Sequence, residues 1–220
     1  MGIPTLSDHF EFPPLENARP DGLLAKGGDL NPERLLMAYR KGIFPWYSEE
    51  EILWWSPDPR FVLIPKALQI SKSMRSLIRK NHFRFSINEN FSGVIHACSA
   101  TPRPGQEGTW INQDIIQSYT TLHTMGYAHS AEVWQGNTLV GGLYGILMGG
   151  IFFGESMFSH VSNASKYAFI HYVQHLQSRG VVLIDCQIHT EHLESLGGAF
   201  ISRVQFQHVL DLFIPPLRSK

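Results

Sequence analysis

Two short stretches place polar side chains inside apolar runs. In VVLIDCQI, residues 181–188, Asp185 and Gln187 interrupt a hydrophobic segment two positions apart. Residues i and i+2 of a strand share one face, so an acid and an amide should project together. In FFGESMF, Glu155 follows a similar run. A buried carboxylate must be hydrogen-bonded, charge-paired or protonated. The patterns therefore indicate either a structural polar network or a reaction site at the end of a strand.

Several standard catalytic centres are missing from the sequence. No lysine follows a glycine, so there is no P-loop, and HExxH does not occur. His171 and His175 lie at i and i+4 of a predicted helix without an acidic or cysteine partner at suitable spacing, so we expect no metal. Ser156, in GESMF, lacks the last glycine of a hydrolase nucleophile elbow. Cys98 and Cys186 form no CxxC pair, which is typical of a reducing compartment.

Three of the five tryptophans fall in one irregular segment, GIFPWYSEEEILWWSPDPR, residues 42–60. Trp46, Trp54 and Trp55 follow neither helical nor strand periodicity there. Because a helix or strand of the core would space its large residues regularly, the pattern indicates that these indole rings do something other than pack in a regular core element.

Charge is distributed unevenly, although the formal net charge of the 220 residues is only −1. The window 59–88 contains no Asp or Glu. Its seven basic residues are Arg60, Lys66, Lys72, Arg75, Arg79, Lys80 and Arg84. Such a block is typical of a surface that meets a polyanion, and equally of a solvated helix face.

The polar residues must be positioned by two parts of the chain with different patterns. Residues 1–65 are mostly irregular, with one helix for which Asn31 is the predicted N-cap and Gly42 the stop. Residues 66–220 alternate helices with strands. We expect an α+β protein with a mostly antiparallel sheet in this second part, and a small N-terminal domain before it.

Helices of the second part are predicted over 71–80, 90–99, 112–126 and 162–180, the last one a capped helix that ends at Gly180. Three strands are predicted over 128–158, with tight turns at Gly136-Asn137 and Gly149-Gly150, and a buried strand over 181–188. Residues 101–111 are predicted to be a loop, and one or two helices should close the chain.

The N-terminal stretch MGIPTLSDHFEFPP lacks the basic start and apolar run of a signal peptide. The longest apolar run, LYGILMGGIFFG, is shorter than the roughly 20 residues that span a bilayer. We therefore expect a cytoplasmic protein with no membrane partner.

Motifs spread over residues 21–198 resemble the leucyl/phenylalanyl-tRNA–protein transferase family. They include GIFPW with LWWSPDPR, EGTWI, GYAHSAEVW, FFGESMFS, NASK, LIDCQ and SLGG. The resemblance implies a GNAT-like C-terminal acyltransferase domain and a small N-terminal domain. It also implies transfer of leucine or phenylalanine, and less readily methionine, from aminoacyl-tRNA to the α-amine of a protein that starts with Lys or Arg. The product would enter the N-degron route, and we expect a monomer that needs no cofactor.

The resemblance also assigns site residues. Asp185 and Gln187 match the catalytic pair, and Glu155 would position the substrate amine or supply negative potential. Trp46 and Trp110 would lie beside the 3′-adenosine, since unpaired bases stack on aromatic faces. Trp54 and Trp55 are expected to be packing residues. The pocket for the aminoacyl side chain maps to Leu143, Phe152, Tyr172, Leu176 and Ile184, whose alternative role is plain core. The tRNA-binding residues are predicted to be Lys72, Arg75, Arg79, Lys80 and Arg84.

Two roles stay open for Asp185. As a general base it would need a burial-raised pKa, because an ordinary Asp, with a pKa of about 3.9, is a weak base for an α-amine. As a charged anchor it would hold the ammonium or the tetrahedral intermediate while a ribose hydroxyl moves the proton.

Two other functions compete with the transferase. A non-catalytic tRNA- or peptide-binding module would use the basic block and Trp46, but it has no need for Asp185, Gln187 and Glu155 together. An acyl-CoA-dependent enzyme of the GNAT type would carry a [QR]xxGx[GA] phosphate loop, which the sequence lacks.

Overall fold

The N-terminal part forms a small four-stranded sheet with one helix. The computed structural model describes residues 2–7, 11–48, 51–102 and 109–216. The sheet has the order β1-β2-β4-β3, with β1 parallel to β2 and the other pairs antiparallel. The elements are β1 (Thr5–Leu6), β2 (Leu23–Gly27), α1 (Pro32–Arg40), β3 (Phe44–Pro45) and β4 (Leu53–Trp55).

Local signals set the bounds of α1. The Asn31 side chain accepts a hydrogen bond from the Glu33 N–H, and Pro32 occupies the first turn, where no N–H is needed. Gly42 follows the helix with φ +70°, a backbone conformation that favours glycine. A side chain at Gly42 would also collide with the ring of Phe206, so the helix end lies directly against the C-terminal part of the chain.

A second sheet of seven strands forms the body of the molecule. Its order is β11-β5-β10-β9-β8-β7-β6, and only β9 and β10 run parallel among the neighbouring pairs. The strands are β5 (Arg60–Leu63), β6 (Arg84–Ile87), β7 (Ala128–Gln135), β8 (Thr138–Met148), β9 (Ile151–Ser159), β10 (Leu183–Gln187) and β11 (Ala199–Ile201).

Helices cover both faces of this sheet and create two hydrophobic cores. The helices besides α1 are α2 (Lys72–Arg79), α3 (Phe91–Ala100), α4 (Gln113–Thr124), α5 (Ala164–Ser178), α6 (Glu191–Glu194) and α7 (Arg203–Phe213). One core contains Leu35 of α1 with buried residues of α3, α4 and α7, and the other contains Met74 of α2 and Val173 of α5. Helix α7 is also tied to the N-terminal part, since the Arg203 guanidinium donates to the Leu15 carbonyl at 2.6 Å.

The α+β class and the mostly antiparallel sheet are confirmed. The predicted turns are also confirmed, with Gly136 at φ +58° and Gly149 at φ +56°. The helix predicted over 162–180 is present as α5, which is followed by Gly180 at φ +83°. At its start Asn163 makes no capping bond, and the Ser165 N–H donates to the Ser159 hydroxyl at 3.2 Å.

Strands β6 and β11 were not predicted, and strand β5 already belongs to the larger sheet although it precedes residue 65. The division into domains at residues 1–65 and 66–220 stays a prediction. Most of the predicted loop over 101–111 lies outside the described residues. In the described part of the chain, every helix is too short or too polar to cross a lipid bilayer.

Candidate active site

A cavity of about 660 Å³ is lined by residues of both sheets. Strand β3 and the residue after it supply Phe44, Pro45 and Trp46, and strands β8 to β10 supply much of the remaining wall. Eight of the site residues predicted from the sequence line it: Trp46, Trp110, Leu143, Phe152, Glu155, Ile184, Asp185 and Gln187. The structure therefore brings Asp185, Gln187, Glu155 and Trp110 to one cavity, and their roles stay predictions.

Two irregularities in strand pairing aim the polar side chains. The pairing of β8 with β9 shifts at Gly145, where a Cβ would meet the Phe153 carbonyl oxygen at 2.1 Å. The pairing of β10 with β5 shifts between Asp185 and Gln187, and Gln187 has a left-handed backbone with φ +62°. Bulges change the direction of side chains and are common near active sites.

Asp185 is held by Arg60 in a buried ion pair. Arg60 Nε lies 2.8 Å from Asp185 Oδ1, and Arg60 Nη2 lies 2.6 Å from Oδ2. The two side chains are 1% and 0% exposed. The guanidinium carbon is 4.6 Å from the ring centre of Phe44 and 4.9 Å from that of Phe206. The bidentate geometry and the burial of both partners hold the Asp185 carboxylate in a fixed position.

Glu155 lies in a different environment, bound only by neutral donors. Tyr39 donates to Oε1 at 2.8 Å, Tyr119 donates to Oε2 at 3.1 Å, and the two hydroxyls also contact each other. The side chain is 9% exposed. Burial raises the pKa of Glu155 from 4.5 to about 7, helped by the Asp185 charge and opposed by the hydrogen bonds from Tyr39, Tyr119 and Gln187.

Gln187 connects the two carboxylates. Its backbone N–H donates to Asp185 Oδ1 at 2.9 Å, which supports the left-handed turn. Its side-chain amide donates through Nε2 to Glu155 Oε1, also at 2.9 Å. The amide oxygen of Gln187 receives no hydrogen bond within the described residues and belongs to a side chain on the cavity wall. It is thus suited to accept a hydrogen bond from a bound ammonium.

The tryptophans have two different roles. Trp46 and Trp110 line the cavity, with Trp110 only 6% exposed. Trp55 donates to the Trp46 carbonyl at 2.6 Å and packs on its ring at 5.6 Å between centres, so it supports Trp46 from behind. Trp54 is fully buried, and its indole N–H binds the Gly27 carbonyl at 2.9 Å. This placement matches the expectation that Trp54 and Trp55 are packing residues.

The predicted side-chain pocket is only partly in the cavity wall. Leu143, Phe152 and Ile184 line it, whereas Tyr172 and Leu176 do not. Tyr172 packs edge-on against Phe152 at 5.0 Å between ring centres, so it forms a layer behind the wall. Several residues of the wall were not predicted from the sequence: Phe44, Pro45, Met157, Phe158 and Phe169.

The five predicted tRNA-binding side chains lie on the surface. Lys72, Arg75 and Arg79 belong to α2, Lys80 follows it, and Arg84 begins β6; all are exposed. Arg84 is already paired with Glu89 at 2.6 and 2.9 Å and lies over the Trp134 ring. Arg60, which falls in the same basic window, is buried in the site, so it is not part of this surface.

Three functional neighbours were missed because nothing local marks them. Tyr39 and Tyr119 are residues of amphipathic helices and resemble ordinary core positions. Arg60 is 125 residues away from Asp185 in sequence. Pairing them required the fold. Within the described ranges, no three His, Cys, Asp or Glu side chains gather as metal ligands.

Comparison with known proteins gives a consistent result. The family model described as leucyl/phenylalanyl-tRNA protein transferase matches residues 62–211, and the model of its N-terminal domain matches residues 28–58. A leucyl/phenylalanyl-tRNA–protein transferase of Syntrophus aciditrophicus is 55% identical over 222 residues, covering 100% of this chain and 93% of that protein. A second leucyl/phenylalanyl-tRNA–protein transferase, from Pseudomonas fluorescens Pf-5, is 54% identical over 210 residues, covering 92% of this chain and 92% of that protein.

Solved structures show a more distant likeness. L-PGS from Bacillus licheniformis has a TM-score of 0.43 and 12% identity, covering 84% of this chain and 59% of that chain. A GCN5-related N-acetyltransferase from Kribbella flavida has a TM-score of 0.40 and 8% identity, covering 73% of this chain and 57% of that chain.

Proposed function

Since the chain belongs to the leucyl/phenylalanyl-tRNA–protein transferase family, we propose that it moves leucine, phenylalanine and, less readily, methionine to the α-amine of proteins that start with Lys or Arg. The family makes it an aminoacyltransferase that passes an aminoacyl group from tRNA to a protein. We also propose that it works in the cytoplasm as a monomer and that its products enter the N-degron route to degradation.

The observation that carries this proposal is the composition of one cavity. Its wall joins an apolar region, two tryptophan rings and a hydrogen-bonded carboxylate–amide pair, Glu155 with Gln187. The reaction requires the same three features, because it must hold an apolar side chain, an adenosine and an amine at one point. The cavity of about 660 Å³ is also within the usual range for a small-molecule site.

The donor substrate fits the apolar region and the tryptophans. Leu143, Phe152 and Ile184 offer an apolar surface for a leucine or phenylalanine side chain, with Tyr172 and Leu176 supporting it from the layer behind. Trp46 and Trp110 are proposed to contact the 3′-adenosine, where stacking contributes about 1–3 kcal/mol per base. The exposed Lys72, Arg75, Arg79, Lys80 and, less strongly, Arg84 are proposed to contact tRNA phosphates.

The acceptor substrate fits the polar region. Its α-ammonium would meet the Gln187 amide oxygen and the Glu155 carboxylate, which lie on the same wall. An aminoacyl ester is already activated, so holding the amine in line with the carbonyl can supply several kcal/mol of the rate enhancement.

For Asp185, the buried pair with Arg60 supports the anchoring role rather than that of a base. Both carboxylate oxygens accept from Arg60, and Oδ1 also fixes the backbone of Gln187. We therefore propose that Gln187 contacts the amine. Asp185 holds Gln187 in place and stabilises positive charge that develops beside the cavity.

The direct test is transfer of labelled leucine from charged tRNA to a peptide that starts with Arg. A peptide of the same sequence starting with Ala is the control. We expect label in the Arg-starting peptide and in a Lys-starting version of it. The Ala-starting control should receive little label. Label in none of them would overturn the proposed transfer, and equal label in all three would overturn the proposed Lys/Arg preference.

A further inference from the structure

We infer that Glu155, clamped between Tyr39 and Tyr119, accepts the proton that the acceptor's α-ammonium must lose before it attacks the ester. This inference rests on the proposed function and gives Glu155 a role beyond positioning the amine. It also assigns Tyr39 and Tyr119 as positioning residues, because they act through the carboxylate.

Geometry is the main support. Glu155 is on the cavity wall, and each of its oxygens is fixed by a tyrosine hydroxyl from a different helix, α1 for Tyr39 and α4 for Tyr119. Gln187 gives the third hydrogen bond through Nε2, so its amide group lies directly beside the carboxylate on the cavity wall. An ammonium bound to the amide oxygen of Gln187 would lie next to a carboxylate whose orientation is already set.

The charged groups around Glu155 are few. Asp185 of β10 repels a second negative charge, although Arg60 of β5 neutralises it within hydrogen-bond distance. Tyr39, Tyr119 and Tyr144 are the other titratable neighbours; burial raises the pKa values of Tyr39 and Tyr119 well above the ordinary value. Tyr39 and Tyr119 therefore remain neutral donors over the range in which Glu155 titrates.

Proton affinity is matched to the task. An α-amine has a pKa of about 7.7–8, and the pKa of Glu155 is raised to about 7. Transfer from ammonium to carboxylate is then only about tenfold uphill. An ordinary carboxyl, with a pKa of about 4, would make the same step roughly ten-thousandfold uphill.

The chemical step needs only the two substrates and the Glu155 carboxylate. Glu155 takes one proton from the ammonium, and the freed electron pair on nitrogen forms the bond to the ester carbonyl carbon. The bond from that carbon to the ribose oxygen breaks, and a second proton from nitrogen passes to the departing oxygen. Glu155 then returns its proton to solvent, so each amide bond releases one proton.

The pH dependence of kcat/KM at low acceptor concentration tests the inference. If the reacting pair is ionised Glu155 with the ammonium, the wild-type profile is a bell, with an acid limb near pH 7 and an alkaline limb near pH 8. If no enzyme base takes part, only the neutral amine reacts, and the profile is a single rise through about pH 8. Amide product in single turnovers should be measured, so that ester hydrolysis does not enter.

The decisive variant is Glu155→Gln, with Glu132→Gln as the matched control. Glu132 is also a fully buried carboxylate of the larger sheet, bound by Ser130 and Ser86, and it does not line the cavity. We expect Glu155→Gln to bind aminoacyl-tRNA, to lose about 10²–10⁴-fold in rate and to show only the single rise. Glu132→Gln should keep the bell. A folded Glu155→Gln protein that keeps both limbs would overturn the inference.

Tyr119→Phe gives an independent reading if Glu155→Gln does not fold. The hydrogen bond that this variant removes stabilises the carboxylate, so the acid limb should move to higher pH while the alkaline limb stays. An acid limb that does not move would contradict the inference. The proposed function fails in a different way, because wild-type protein would then give no amide product with the Arg peptide at any pH.

Discussion

Arg60 and Asp185 form a bidentate ion pair that is shielded from water yet lies beside the cavity. The guanidinium is at 2.6–2.8 Å from the carboxylate, and aromatic rings lie near it on strand β3 and helix α7. A pair of this kind contributes little net stability but is costly to break on one side, because the remaining charge is left buried. It fixes the position of the Asp185 carboxylate.

This pair gives the first prediction. Arg60→Met should lower the free energy of unfolding by about 3–5 kcal/mol, because it leaves the Asp185 carboxylate uncompensated. Adding Asp185→Leu to Arg60→Met should recover part of that loss, since no buried charge then remains. Urea unfolding of the two single variants and the double variant measures the coupling, and strictly additive losses would contradict the buried pair.

Asp185→Asn should reduce transfer and move the acid limb to lower pH, because the Asp185 charge helps to raise the pKa of Glu155. The variant removes the charge that anchors Gln187 and Arg60 but leaves Glu155 in place. We expect a lower rate, retained binding of aminoacyl-tRNA, and an acid limb still present in the pH profile. The measurement is the kcat/KM profile with an Arg-starting peptide. Loss of that limb in a folded variant would return the role of base to Asp185.

Stability should depend on pH through Glu155. Its pKa is raised to about 7 in the folded protein, so the folded state binds the proton more tightly than the unfolded state. This difference in proton binding stabilises the folded state; the stabilisation is fully present below about pH 4.3 and is lost as pH rises through about 7. The side chain of the Glu155→Gln variant stays neutral at every pH. Its free energy of unfolding, relative to that of the wild type, should therefore increase by on the order of 3 kcal/mol between about pH 4 and pH 8. Urea unfolding at several pH values checks this, and a constant difference would contradict it.

The exposed basic face of α2 should carry part of the salt dependence of tRNA binding. Arg75→Ala with Arg79→Ala should lower the slope of log affinity against log salt by about 0.7–0.9 for each phosphate that is no longer neutralised. Arg84→Ala should change the slope less, because Glu89 already pairs with Arg84. Titrations at several salt concentrations measure the slope. An unchanged slope in the double variant would mean that these residues form only a solvated surface.

Two buried leucines allow the side-chain pocket to be tested with a matched control. Leu143 lines the cavity, whereas Leu176 is equally buried and does not. Leu143→Ala should enlarge the cavity and change the ratio of kcat/KM for phenylalanine over leucine, in the range of about 10–200-fold known for such changes in apolar pockets. Leu176→Ala should cost about 2–5 kcal/mol of stability and leave the ratio near its wild-type value. A ratio that responds equally to both variants would rule out this assignment of the wall.

Local patterns predicted the scaffold well because their causes are local. Asn31 caps α1 through its own side chain, and Gly136 and Gly149 take up the positive φ that the tight turns require. The interrupted apolar runs at Asp185 and Glu155 likewise marked both acids as members of a polar network or a reaction site. For the helix cap and the turns, the relevant interactions lie within a few residues of the signal.

Features that depend on distant residues were not predictable in the same way. Arg60 falls in a basic window that is typical of a charged surface, yet its partner is 125 residues away. Tyr39 and Glu155 are 116 residues apart, and nothing in the helix pattern separates Tyr39 from an ordinary core residue. Tyr172 and Leu176 follow the core stripe of α5, but Phe152 stands between Tyr172 and the cavity.

The packing of α7 over the Arg60 pair has a consequence for how the protein is made. Phe206 lies against the Arg60 guanidinium, and the Arg203 backbone N–H binds the Asp58 carboxylate at 3.0 Å. During translation, residues 60 and 185 leave the ribosome before residues 203–213. The ion pair is then open to water until the last described helix docks. Because contacts between residues far apart in sequence form slowly, we expect the buried Arg60 pair to be completed late in folding, after α7 has docked.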